Sequence, residues 1–221
     1  MTSLLKKHQL LGLIILIFTA LPTTAFSQAK KQDNTTNKSS TLDANSKGVE
    51  INGVRWATRN VDTPGKFTAN PEDAGRLYQW NNRVSWAVSG SITGWKRNTQ
   101  TVTAWRKNSD PSPTGWRVPT YAEIYKLLDT SKVKTEWTTQ NGVKGRKFTD
   151  KATGKSIFLP AAGCRQHTAG VLENVGSYGY YWGSNRPATG NNAYSMHFSD
   201  KYAQKSVYIY NYAFSIRPVA E

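Results

Sequence analysis

Residues 194–199 read Tyr-Ser-Met-His-Phe-Ser and show the pattern that governs this chain. Large apolar side chains alternate with small or polar ones, which predicts a half-buried β-strand because successive side chains of a strand point to opposite faces. Comparable strand patterns occur at residues 147–149, 157–159, 180–182, 207–210 and 214–217. The first two of these runs flank a polar segment that contains Gly154, and together they predict a β-hairpin.

Upstream of these strands, the sequence predicts one helix. Thr120 is followed three residues later by Glu123, the spacing of a capping box in which each side chain satisfies a backbone N–H at the start of a helix. A helical face continues to about Ser131, whereas residues 77–88 fit either a helix or a strand. The expected fold class is therefore α+β, with one or two helices packed on short antiparallel strands and with long irregular loops.

The first residues of the chain resemble a secretory signal peptide. Lys6 and Lys7 supply positive charge, residues 10–21 form an apolar core, and Pro22 ends it. This core is too short to span a bilayer comfortably. We expect residues 1–27 to be cleaved and the mature protein, with no transmembrane segment, to be secreted or held at the cell surface, with the periplasm as an alternative.

The remaining chain divides into a polar stretch and one domain. Residues 28–47 contain almost no apolar side chain, which predicts a flexible linker. Residues 48–221 have the composition of a globular domain, and the 8 Trp and 11 Tyr of the chain exclude wholesale disorder. The single cysteine, Cys164, excludes an intramolecular disulfide and is expected to be a small buried residue.

The net charge and the motifs of the sequence indicate which kinds of partner and of chemistry to expect. The formal net charge of +15 favours acidic partners such as sulfated or uronic-acid glycans. The sequence has no nucleic-acid-binding motif, and we expect no nucleic-acid partner. Only His167 and His197 follow the predicted signal peptide, and His197 is expected to face solvent on its strand. No paired carboxylate or metal-binding motif is present, so we predict no catalytic residue, no metal and no cofactor.

Six segments carry a pattern in their order and spacing: 54–61 (VRWATRNV), 77–80 (LYQW), 110–120 (DPSPTGWRVPT), 157–163 (IFLPAAG), 180–184 (YYWGS) and 214–219 (FSIRPV). The chain resembles the Fibrobacter succinogenes major paralogous domain, a family common in exported Bacteroidetes proteins, over residues 49–219. The resemblance implies a C-type-lectin-like fold. It also relates the chain to formylglycine-generating enzymes, but their oxidase chemistry needs two cysteines and this chain has one.

Within these segments, four tryptophans and two arginines are expected to be structural, because indoles suit core anchors and buried arginines tie loop carbonyls. They are Trp56, Trp80, Trp116, Arg117, Trp182 and Arg217.

A ligand surface is expected towards the C-terminus, where 8 of the 11 tyrosines lie at or beyond Tyr178. Tyrosine gives rigid amphipathic contact area, and asparagine gives adaptable hydrogen bonds. The resemblance implies a ligand surface in the same segment. The predicted binding residues are Tyr178, Tyr180, Tyr181, Asn185, Asn191, Asn192, Tyr208, Tyr210, Asn211 and Tyr212.

Three functions follow from these observations. The first is a non-catalytic recognition or adhesion module that binds a glycan or a surface protein. The second is a structural subunit of a surface appendage, joined through an N-terminal segment or an exposed strand edge. The third is a hydrolase that acts on a cell-envelope polymer.

Overall fold

The computed structural model describes residues 47–221. The predicted signal peptide and all but the last residue of the predicted linker lie outside the described residues. Of the described part, 38% is in strands and 6% is helical. The protein is therefore mostly β, and the α+β, C-type-lectin-like fold class expected from the sequence is wrong.

The described residues form fifteen short strands, one α-helix and a 3-10 turn at Lys107–Ser109. In chain order they are β1 (Val49–Ile51), β2 (Val54–Trp56), β3 (Leu77–Gln79), β4 (Ser85–Trp86), β5 (Trp116–Arg117), α1 (Tyr121–Leu127), β6 (Val133–Gln140), β7 (Val143–Asp150), β8 (Ser156–Pro160), β9 (Cys164–Arg165), β10 (Leu172–Glu173), β11 (Gly179–Trp182), β12 (Asn192–Phe198), β13 (Ala203–Ile209), β14 (Ala213–Phe214) and β15 (Val219–Ala220).

These strands pair into four antiparallel sheets. Sheet A has the order β1-β2-β15-β5, and sheet B has the order β10-β9-β14-β3-β4. Sheets C and D are three-stranded meanders, β6-β7-β8 and β11-β12-β13. The predicted hairpin is confirmed as β7–β8, with Phe148 opposite Ile157.

Two Asn-Gly pairs form the two-residue turns of hairpins. Asn52 and Gly53 join β1 to β2 with φ of 47° and 70°, and Asn141 and Gly142 join β6 to β7 with φ of 47° and 82°. Positive φ at both central residues defines a type I′ turn, whose twist matches that of the flanking strands.

The helix begins where the sequence predicts and ends early. Thr120 Oγ1 accepts a hydrogen bond from the Glu123 N–H, and the Glu123 carboxylate accepts one from the Thr120 N–H at 2.7 Å. The carbonyl of Asp129 then accepts the N–H groups of Lys132 and Val133, which turns the chain into β6. Residues 77–88, which fitted a helix or a strand, form β3 and β4. A seven-residue helix is too short to form a helical layer.

Sheet D lies at the centre of the core, where β11 is buried on both faces and the outer strand β13 is only partly buried. Tyr181 and Met196 are paired and face one apolar cluster, whereas Tyr180 and Trp182 face another. The prediction of a strand at residues 194–199 is confirmed by β12. Its half-buried character is wrong, because even Ser195 is fully buried.

The C-terminal strands join sheets built earlier in the chain. β14 pairs with both β3 and β9, and β15 lies between β2 and β5. Two indoles add reciprocal links, since Trp80 Nε1 donates to the Gly183 carbonyl at 2.9 Å and Trp182 Nε1 donates to the Tyr78 carbonyl at 2.7 Å. Within residues 47–221, no helix is both long enough and apolar enough to cross a membrane.

Candidate functional site

Five tyrosines meet at one face of sheet D, and we call them the tyrosine surface: Tyr178, Tyr180, Tyr202, Tyr208 and Tyr212. Tyr202 is 37% exposed, and Tyr178, Tyr208 and Tyr212 are half-buried. The Tyr180 ring beneath them stacks on Tyr178 with ring centres 6.0 Å apart and meets Tyr208 edge-on at 5.7 Å. The cluster therefore presents aromatic rings to solvent on a packed aromatic base.

Strand register brings these rings together. Tyr180 on β11 is opposite His197 on β12, and His197 is opposite Gln204 on β13. Tyr208 follows Gln204 by four residues along β13, so both point to the same face. Tyr212 comes from the turn before β14 and packs on Tyr208 at 5.6 Å and on Phe214 at 5.6 Å. Three strands and a turn thus fix the positions of the rings.

His197 lies inside this cluster. From the sequence we expected it to face solvent, and that expectation is wrong. His197 is 7% exposed and lies edge-on to Tyr202 and Tyr208, with ring centres 5.4 and 5.8 Å away. Burial lowers its pKa below the ordinary value, so the ring is neutral at pH 7. Its Nε2 is 3.3 Å from Gln204 Nε2, and Nδ1 has no partner among the described residues. His197 acts as a flat packing group within the cluster.

Three phenols of the tyrosine surface keep their protons. Burial raises the pKa of Tyr180, Tyr208 and Tyr212 above the ordinary value of tyrosine. Neutral phenols can both donate and accept hydrogen bonds. Beneath them, burial first and Glu173 second raise the pKa of the Cys164 thiol to about 12. A protonated thiol is a poor nucleophile, and Cys164 is in this form at neutral pH.

Two of the predicted binding tyrosines lie elsewhere. Tyr181 is 2% exposed, and its hydroxyl donates to the Pro160 carbonyl at 2.8 Å. Tyr181 cannot contact a ligand at the tyrosine surface. It directly follows Tyr180 along β11, so its ring points to the other face of the sheet and into the apolar cluster there. Tyr210 is 7% exposed, lies under the guanidinium of Arg186 and donates to Asn191 Oδ1 at 3.3 Å.

The predicted binding asparagines fasten loops and do not join the tyrosine surface. Asn185 Oδ1 accepts the Tyr121 N–H at 3.2 Å. Asn211 is 6% exposed, and its Oδ1 accepts the N–H of Asn98. The Asn191 carbonyl accepts the Tyr210 N–H, and Asn192 pairs with Ile209 at the start of β12.

The residues predicted to be structural fall into two groups. Trp56, Trp80, Trp182 and Arg217 are each at most 1% exposed. Arg217 donates to Asn60 Oδ1 at 2.9 Å and to the carbonyls of Ala57 and Pro71, and no carboxylate within residues 47–221 pairs with it. Trp116 and Arg117 are half-buried instead, and both line a cavity of about 640 Å³.

The predicted binding set omits Tyr202, His167 and His197, which the structure adds to the aromatic cluster. His167 approaches Tyr212 with ring centres 4.9 Å apart. The alternation of His197 with Met196 and Phe198 indicated that His197 points to the opposite face of the strand from these two residues. That opposite face is buried and not exposed. Among residues 47–221, no three His, Cys, Asp or Glu side chains come together as a metal site would require.

Comparison with known proteins adds one finding. Residues 131–219 are similar to a family described as a domain of unknown function (DUF8237). No curated protein and no solved structure matches the chain. The matched region contains β6 to β14 and the start of β15, and therefore the whole tyrosine surface, but not the strands of sheets A and B that come before it.

Proposed function

We propose that this protein is an exported cell-surface recognition module that binds a glycan through the tyrosine surface without catalysing a reaction. The observation that carries the proposal is the convergence of Tyr178, Tyr202, Tyr208 and Tyr212 on one exposed, rigidly packed face. Export rests on the predicted signal peptide at residues 1–27. The likeness to the Fibrobacter succinogenes major paralogous domain is consistent with that location.

The chemistry of the surface suits a sugar ring. A pyranose has an apolar C–H face and a rim of hydroxyl groups, so an aromatic ring can stack on the face while phenol hydroxyls bond the rim. Tyrosine loses little conformational entropy on binding because it has only two side-chain torsions. The rings here are further held by Tyr180 and Phe214 beneath them. Neutral side chains favour an uncharged glycan at this face.

A glycan array followed by calorimetry on any hit tests the proposal. We expect Tyr202→Ala and Tyr212→Ala each to weaken binding about tenfold, the effect of losing about 1.4 kcal/mol of contact. Tyr125→Ala is the matched control. Tyr125 is 56% exposed on α1, contacts Lys205 and lies outside the tyrosine surface.

The melting temperature of each variant separates binding from folding. The proposed site would be contradicted if Tyr202→Ala kept the wild-type affinity, or if Tyr125→Ala lost as much affinity as Tyr202→Ala. A blank array would contradict the glycan ligand and leave a surface protein as the candidate partner, to be sought by pull-down from the native cell surface.

A further inference from the structure

A concave site lined by none of the residues of the tyrosine surface lies elsewhere on the protein, and we call it the tryptophan groove. It is the cavity of about 640 Å³ whose lining includes Trp105, Trp116 and Arg83. Both indoles are half-buried and are fixed by other rings. Trp105 packs edge-on against Trp80 at 5.7 Å, and Trp116 packs edge-on against Phe67 at 5.6 Å. The groove thus has two aromatic groups held in place from behind.

Backbone hydrogen bonds hold the walls of the groove in register. The N–H of Trp105 donates to the Ser184 carbonyl at 2.7 Å, and the Ser184 N–H donates to the Pro119 carbonyl at 2.7 Å. The N–H of Gly65 donates to the Pro111 carbonyl at 2.8 Å. A ligand would therefore meet a preformed site, which lowers the entropy cost of binding.

Asp110 and Glu221 line the groove; backbone N–H groups hold Asp110, whereas Glu221 contacts the exposed Lys107. Asp110 accepts the N–H groups of Ser112 and Val118 at 2.8 and 2.9 Å. Arg117 forms a two-pronged pair with Glu123, at 2.9 and 2.7 Å. Burial alone would raise the pKa of Glu123, but the bonds from Arg117 and Thr120 lower it below the ordinary value. The carboxylates of Asp110 and Glu123 are thus satisfied by internal hydrogen bonds, and neither awaits a cationic ligand.

The cationic side chains at the rim of the groove are exposed. Arg83 is exposed and has no hydrogen-bond or ion-pair partner among the described residues. Lys107 is 3.4 Å from the Glu221 carboxylate, but its side chain is 89% exposed, and such surface pairs contribute little. Arginine presents a planar fork that matches a carboxylate through two parallel hydrogen bonds. Arg83 therefore supplies an available anion contact at the groove.

The groove does not suit an added peptide strand. β5 is the edge strand of sheet A at this wall, and strand addition would need its outward N–H groups. The N–H of Trp116 already donates to the Pro113 carbonyl at 3.0 Å, and that of Val118, just beyond β5, donates to Asp110. With these donors used internally, a main-chain ladder with a partner cannot form there.

From these features we infer that the tryptophan groove binds a saccharide that carries a carboxylate. The indoles of Trp105 and Trp116 take the C–H faces of the sugar rings, and Arg83 pairs with the carboxylate. Other hydroxyl-bearing residues of the lining suit the hydroxyl rim of a sugar: Ser112, Thr114 and Ser184. This site is independent of the proposed function, which rests on the tyrosine surface.

The test compares trigalacturonate with its methyl ester, which keeps the rings and removes the charge. Calorimetry on the wild-type protein should show at least about tenfold tighter binding of the acid than of the ester, as expected for one charge-assisted pair. Arg83→Gln should reduce the affinity for the acid to that for the ester. Arg97→Gln is the matched control, because Arg97 is also exposed but does not line the groove.

Tyr202→Ala distinguishes this site from the tyrosine surface, since it should leave trigalacturonate binding unchanged. Binding lost in Tyr202→Ala and kept in Arg83→Gln would overturn the groove and assign the acid to the tyrosine surface. Equal binding of acid and ester in the wild-type protein would overturn the role of Arg83. Failure of the wild-type protein to bind either ligand would overturn the inference as a whole.

Discussion

Cys164 shows how a single buried group sets a pH dependence. The thiol is 2% exposed beneath the tyrosine surface, and burial raises its pKa from 9.0 to about 12. In the unfolded chain the thiol ionises near its ordinary pKa, whereas in the folded protein it keeps its proton. The stability that the protonated thiol contributes is therefore fully present below about pH 9 and is lost as the pH rises towards 12.

We expect the difference in unfolding free energy between the wild type and Cys164→Ala to shrink by about 1.4 kcal/mol between about pH 8 and about pH 10. The tyrosines titrate in both proteins and cancel in the difference. Urea unfolding followed by tryptophan fluorescence measures both curves. A difference that stays constant over this range would show that the folded protein exposes the thiol.

At the same scale, the site could be predicted only in part. Adjacent residues of a strand face opposite ways, so the sequence alone shows that Tyr180 and Tyr181 cannot share one surface. It does not show that β11 is covered on both faces, because the covering side chains come from distant segments. The role of Arg83 in the groove has no sequence signal, since its neighbours there come from four other parts of the chain.

Among the elements, α1 is the one most fully specified by local sequence. Its capping box needs only residues 120–123, and all of its hydrogen bonds form as expected. β3 pairs with β14, a partner more than a hundred residues away, and β4 pairs in turn with β3. That separation explains why residues 77–88 could not be assigned from their own pattern.

Removal of the cap tests how much α1 depends on it. We expect Thr120→Ala to lower the free energy of unfolding by about 1 kcal/mol, because the Glu123 N–H loses its acceptor. Thr120→Ser keeps the hydroxyl and should change stability much less. Chemical denaturation of the three proteins gives both differences. Equal losses in the two variants would assign the effect to the threonine methyl group.

For the whole molecule, the boundaries of the matched family region do not coincide with those of a structural unit. Residues 131–219 contain sheets C and D, but β14 and β15 within them need β3, β2 and β5 as partners. Trp182 also needs the Tyr78 carbonyl as its acceptor. The segment alone would leave these strands and a buried indole unpartnered.

We therefore expect a fragment of residues 131–219 to remain unfolded, or collapsed without fixed packing, when it is made alone. The full chain, made in parallel, should show dispersed amide resonances and a cooperative thermal transition. Nuclear magnetic resonance spectra of the two samples decide the question. A dispersed spectrum from the fragment would show that sheets A and B are dispensable for folding.

The place of β15 in sheet A has a consequence for biosynthesis. The strand at Val219–Ala220 separates β2 from β5, so the sheet that starts at Val49 cannot close until those late residues have left the ribosome. Contacts between such distant residues also slow folding, because a long loop must first close. Sheet A therefore stays open while residues 57–218 are synthesised, which leaves β2 and β5 without their shared partner during that time.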